Sequence, residues 1–152
     1  MLFRRPADPT DGATPSGASS LTGALITAAA LTGSSRYREA AEVALHRAGL
    51  LPARAPRAAG HWLAAAETVQ HGPVQVGVVG AVGDPMRHEL EALAHRAAPG
   101  GAVVLAGEPG SPAPLLAGRG LVGGRAAAYV CRGFVCDRPV TTPEELRAQL
   151  CP

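Results

Sequence analysis

The sequence predicts a mixed α+β fold, in which a helical hairpin is followed by a small βαβ unit and then by a C-terminal strand, hairpin and helix. Three observations predict it. Apolar residues recur at helical spacing through the first half of the chain, and at Pro73 the pattern shortens to that of strands. Residues that start and stop helices stand at the changeovers.

Residues 1–19 read as an irregular lead-in, because Pro6, Pro9, Gly12, Pro15 and Gly17 interrupt every periodic pattern. Ser19 or Ser20 then offers an N-cap. Leu21, Ala24, Leu25, Ala28 and Leu31 follow at helical intervals, with Ala29 and Ala30 spreading apolar surface to other faces, so this helix expects burial on several sides. Gly33 stops it and Ser35 caps a second helix, whose Tyr37, Ala40, Ala41, Ala44, Leu45 and Ala48 share one face as far as Gly49. So short a connection predicts an antiparallel helical hairpin. A third helix over 57–69 carries Trp62, Ala66 and Val69, which completes a helical part spanning 20–72.

The remaining residues, 73–152, read as a small α/β segment. Val74, Val76, Val78 and Val79 form a β-branched run, Gly80-Ala81-Val82-Gly83 turns, and Asp84-Pro85 caps a helix with its stripe at Met86, Leu90, Leu93 and Ala97. Pro99-Gly100-Gly101 ends that helix before a second buried strand over Ala102–Ala106. The two strands should be parallel with a right-handed crossover. A Pro/Gly-rich loop spans 108–124, residues 125–136 are strand-like, and Thr142-Pro143-Glu144-Glu145 is a capping box opening a final helix with Leu146 and Leu150 on one face.

Composition narrows the function classes. A chain of 152 residues is long enough for one ordinary domain, burying roughly 68–70% of its unfolded surface. Aromatic residues make up only 3%, so stacking platforms for bases or sugars are nearly absent. All 14 basic residues are Arg, scattered singly apart from Arg4-Arg5 in a chain of net charge +2, which argues against nucleic acid as a partner. Arg4-Arg5 ahead of the apolar run Leu21–Leu31 superficially resembles a twin-arginine export signal, but a long polar stretch with Asp8 and Asp11 separates them. The run is also shorter than the ~20 residues that span a bilayer. No membrane partner is expected, and a cytoplasmic location is the default for a chain with three cysteines.

Two motifs point to a family. The first is Asp11-Gly12-Ala13-Thr14-Pro15-Ser16-Gly17-Ala18-Ser19, with Thr32-Gly33-Ser34-Ser35-Arg36-Tyr37 and Ala40, Ala41 and Glu42 after it. The second is Ala128-Tyr129-Val130-Cys131, Phe134, Cys136, Pro139-Val140-Thr141 and Pro143-Glu144-Glu145-Leu146. Together they resemble the C-terminal portion of the thioredoxin-domain-containing family that includes spermatogenesis-associated protein 20 and its bacterial relatives. The resemblance implies a parent with a thioredoxin-like domain followed by an (α/α) toroid akin to sugar epimerases and six-hairpin glycosidases, interrupted late by a small α/β segment. In that frame the chain is a C-terminal fragment, with 20–72 a toroid remnant and 73–152 the α/β segment bearing a Cys-x4-Cys tail. One departure is Ala18, which stands where the family pattern has Asn.

The function so implied is that of a non-catalytic structural or interaction segment, whose partner is the N-terminal part of the parent or a second copy. The alternative is part of a carbohydrate-active, epimerase-like or hydrolase-like toroid enzyme, with Asp11, Pro15, Ser16, Gly17 and Ser19 lining its cavity. No complete active site is legible, no cofactor or metal is expected, and the chain holds no C-x-x-C. Asp11 is a candidate catalytic carboxylate, although Asp8 and Asp11 equally suit turns. His61 is a candidate polar group beside Trp62, whose more ordinary place is the core. The Gly80–Gly83 turn lacks a phosphate-binding fingerprint, and Asp84 puts negative charge where a phosphate would sit. His88 and His95 return to one helix face but stand ~10.5 Å apart in rise, too far to share a zinc ion.

Cys131 and Cys136 are the redox or metal candidates. On one extended strand they would point to opposite faces. Gly133 suits a turn, and a hairpin with a four-residue loop would bring their Cα atoms to ~5.5 Å. A reducing compartment favours two buried thiols, with a disulfide next and a metal site last.

Overall fold

The computed structural model describes residues 8–151; the Arg4-Arg5 pair and the rest of 1–7 lie outside the described residues, as does Pro152. Helical periodicity in the first half resolves into α1 (Gly17–Thr32), α2 (Ser35–Ala48), a short α3 (Leu50–Arg54), a 3-10 turn (Pro56–Ala58) and α4 (Gly60–His71). Helix α1 starts ahead of the cap expected at Ser19 or Ser20. Its N-cap is Ser16, whose hydroxyl accepts from the Ser19 amide at 3.1 Å, so Ser19 sits inside the first turn, where it is buried. Gly33 ends α1 in the left-handed region, its N–H donating to the Ala29 carbonyl at 2.8 Å. Gly49 keeps right-handed helical angles, which lets the chain run on into α3. Ile26, Ala41 and Ala65 form the thin core where α1, α2 and α4 meet.

The change of period at Pro73 marks the sheet. Strands β1 (Val74–Val79) and β2 (Val103–Gly107) flank α5 (Pro85–Ala97) and are parallel, with Val76 opposite Val104, as the βαβ reading requires. The Asp84 carboxylate accepts from the Met86 amide at 2.9 Å with Pro85 in the first helical turn. Strand β3 (Ala127–Arg132) adds antiparallel to the other side of β1, and β4 (Val135–Cys136) follows, giving the order β2-β1-β3-β4. The fold is therefore α+β with a mixed sheet.

Strand alternation gives the sheet two buried faces. On one, Leu90 and Leu93 of α5 and Leu146 and Leu150 of α6 (Pro143–Leu150) share a core with Val76, Val78, Ala128 and Val130. Helix α6 starts at the expected capping residue: the Thr142 hydroxyl accepts from the Glu145 amide, while the Glu145 carboxylate accepts from the Thr141 amide, each at 3.3 Å. The opposite face is closed by Ala30 of α1 and by Leu115 and Leu116, which are almost fully buried. Both leucines come from the Pro/Gly-rich loop, which covers the sheet instead of running over solvent. Two strand glycines make room for it. A Cβ on Gly107 would lie 2.5 Å from Leu116 Cδ1, and one on Gly77 3.1 Å from Leu116 Cδ2. Buried Gln75 of β1 donates through Nε2 to the Ala30 carbonyl at 2.6 Å, tying the end of α1 to the sheet. No described helix is long and apolar enough to cross a membrane.

Candidate functional site

The residues singled out in the sequence fall into two separate places. The first is the junction of the lead-in with α1 and α4. Asp11 Oδ1 accepts from the Ser16 amide at 2.9 Å and the Ser19 hydroxyl at 2.6 Å, while Oδ2 accepts from the His61 amide at 2.8 Å and the Trp62 amide at 3.4 Å. The carboxylate thus answers the open N–H groups at the start of α4 and fixes the entry to α1. Burial by itself would raise its pKa, but the hydrogen bonds from Ser16, Ser19, His61 and Trp62 together outweigh that effect and hold it at about 2. Such a group is a weak base at neutral pH, and both its oxygens are engaged. Asp8, three residues earlier, folds a local turn by accepting from the Thr10 amide at 2.8 Å and hydroxyl at 2.6 Å.

His61 meets Asp11 through its backbone, not its ring. The imidazole lies against Gly23, where a Cβ would stand 3.1 Å from Nε2, and lines a cleft of about 740 Å³ with Ser20, Thr27, Thr68 and His71. Asp11, Pro15, Ser16, Gly17 and Ser19 stand outside that cleft. Trp62 is buried, its indole N–H donating to the Pro9 carbonyl at 2.8 Å, because adjacent helical residues point about 100° apart. Ring and imidazole therefore do not share a pocket. His88 and His95 are exposed on α5.

The second place is the hairpin of β3 and β4. Gly133 and Phe134 both have positive φ, 55° and 70°, the signature of a two-residue type I′ turn. The loop is thus two residues shorter than the expected four, with Arg132 paired to Val135 and Cys131 to Cys136. The cysteines are joined as a disulfide with their Cα atoms 3.9 Å apart, in place of the two buried thiols that a reducing compartment favours. The tight turn is the physical reason. It puts the cysteines in register, and side chains directly opposite on antiparallel strands share a face. Only Cys131 is buried; Cys136 is exposed. Cys151 is a free, exposed thiol apart from the pair.

Arg119 completes this site, and no periodicity in the sequence announces it. The guanidinium comes from the covering loop, and its Nη2 donates to Cys131 Sγ at 3.1 Å and to Cys136 Sγ at 3.2 Å. Its carbon stands 5.4 Å from the centre of the Tyr129 ring, within cation–π range. The Tyr129 hydroxyl donates to the Gly120 carbonyl at 2.8 Å and accepts from the Gly120 amide at 3.2 Å, which fixes the loop at this point. Gly77 makes space, since a Cβ there would come within 2.6 Å of Arg119 Nη1. That nitrogen is buried and, among the described residues, without a hydrogen-bond partner, as is Oε1 of nearby Gln75, whose Cα is paired with that of Cys131. Both side chains line a cavity of about 280 Å³ with Leu115, Phe134 and the end of α1. Among the described residues Arg119 forms no ion pair, and burial lowers its pKa, against an opposing influence from Tyr129. The one sequence signal for this arrangement is Gly77, an unbranched gap in a valine-rich strand.

No protein-family model, curated protein or solved structure matches the chain.

Proposed function

We propose that this chain is a non-catalytic structural and interaction segment of a larger protein of the thioredoxin-domain-containing, toroid-bearing kind that its motifs resemble. In this reading the layer of α1, α2 and α4 seats against a neighbouring helical hairpin of that protein. The observation that carries the proposal is the distribution of apolar side chains in the layer. The apolar cluster where the three helices meet is built on small or single side chains, Ile26, Ala41 and Ala65, whereas Leu21, Val43 and Leu63 are 62%, 51% and 44% exposed. Burying a fully exposed side chain of this kind is worth roughly 1.5–3 kcal/mol, and about half of that is still to be gained at each of these, so a partner surface gains by docking here. The employment of Asp11 as a double helix anchor supports a structural role for the lead-in.

Sedimentation and thermal melting of the chain by itself test the proposal. The expected result is concentration-dependent self-association with a broad melting transition, as the uncovered helices find one another. A monodisperse monomer that melts cooperatively at all concentrations would overturn it.

A further inference from the structure

Beyond the structural role argued from α1, α2 and α4, we propose that Cys131 and Cys136 of β3 and β4 form a stoichiometric thiol–disulfide exchange site for dithiol and disulfide substrates, in which Cys136 exchanges, Cys131 resolves, and Arg119 holds the thiolate. Three features carry this. The paired register keeps both sulfurs together in either redox state, because it is fixed by backbone pairing of β3 with β4 and β1. The two cysteines differ in access, Cys131 being fully buried and Cys136 exposed. A cation with no carboxylate partner among the described residues donates to both sulfurs. In the disulfide the two sulfurs stand 3.1 and 3.2 Å from the guanidinium and leave its charge uncompensated, whereas reduction creates an anion beside it. Cations beside a cysteine favour its thiolate, which is both the better leaving group and the nucleophile.

The exchange follows from the access. A thiolate of a dithiol attacks exposed Cys136 Sγ, forming a mixed disulfide. The Cys131–Cys136 bond breaks, and its electron pair leaves with Cys131 as a thiolate beside Arg119. The second thiolate of the substrate then attacks its own sulfur in the mixed disulfide and expels Cys136. Two electrons pass from the dithiol to the protein, the substrate becomes a disulfide, and the two thiol protons it gave up reach the protein thiols through solvent. The reverse sequence oxidises the protein at the expense of a substrate disulfide.

The test uses the whole chain in buffers of reduced and oxidised dithiothreitol, with thiols counted while circular dichroism follows the fold. One free thiol, Cys151, is expected under oxidising conditions and all three under reducing ones, reversibly and without unfolding. Three thiols at every poise, or reduction only on unfolding, would overturn the proposal. In Cys131→Ser, iodoacetamide should modify Cys136 about threefold faster than Cys151 at neutral pH. The excess arises because a neighbouring cation raises the thiolate fraction by more than it lowers the intrinsic nucleophilicity of the thiolate. Arg119→Gln added to Cys131→Ser should abolish the excess, and Arg119→Lys should retain most of it. Equal rates at Cys136 and Cys151 with Arg119 present would also sink the assignment.

Discussion

The Asp11 carboxylate holds the N-terminal ends of α1 and α4 together, so its contribution is to stability and depends on its charge. Asp11→Asn keeps the shape but loses the charge-assisted bonds, and a loss of about 2 kcal/mol is expected from urea unfolding at neutral pH. The pH dependence has a definite sign. A pKa depressed from 3.8 to about 2 on folding stabilises the protein fully above 3.8 and loses that effect as pH falls through 2. The stability gap between wild type and Asp11→Asn should therefore narrow between about pH 4 and 2; a gap that is constant or widens over that window would contradict the assignment. Gly77 offers a second single-residue test. Its backbone angles suit any residue, so the obstacles to Gly77→Ala are Arg119 Nη1 at 2.6 Å, the mobile end of a side chain, Leu116 Cδ2 at 3.1 Å and the Leu115 carbonyl at 3.3 Å. The guanidinium should give way. Gly77→Ala in the Cys131→Ser background is expected to reduce the excess reactivity of Cys136 while costing only about 1 kcal/mol in unfolding.

Helix α6 is a short element whose existence rests on its start. Thr142 provides the cap and Glu145 closes back onto it, so Thr142→Ala should cost about 1 kcal/mol by chemical denaturation. Because Leu146 and Leu150 complete one face of the sheet core, that loss should appear in global unfolding and not as fraying of α6 alone. The link between α1 and β1 behaves differently. Gln75→Met removes the donor to the Ala30 carbonyl, which otherwise stands near the end of α1 among carbonyls that the helix itself leaves open. Amide exchange should accelerate in the last turn of α1 with β1 itself unchanged; equal acceleration in both would show that the amide serves the sheet as a whole.

Across the whole molecule the two halves are unequally built. The sheet has leucines and valines packed on both faces, whereas α2 contributes Ala41 as its only buried residue. Local opening follows buried apolar area, so amides of α2 should exchange roughly a hundredfold faster than those of β1 in the isolated chain. Protection of α2 equal to that of β1 would contradict the thin helical core that motivates the proposed docking.

Periodicity, caps and turn residues determined the helices, the βαβ unit and the hairpin, since each depends on neighbours within a few residues. The pattern Asp84-Pro85 and the capping box at Thr142 are local chemistry and can be read without coordinates. The start of α1 differs from the one its sequence suggests because Ser16, Ser19 and Ser20 are all competent caps, and the choice among them involves Asp11 together with α4, far along the chain. The sequence likewise made Cys131 and Cys136 a pair to watch but carried no sign that Arg119 would meet them. Only the tertiary structure decided that, because a Pro/Gly-rich loop has no period of its own. Its course is set by where Leu115 and Leu116 find apolar cover, and by the space that Gly77 and Gly107 leave on the sheet.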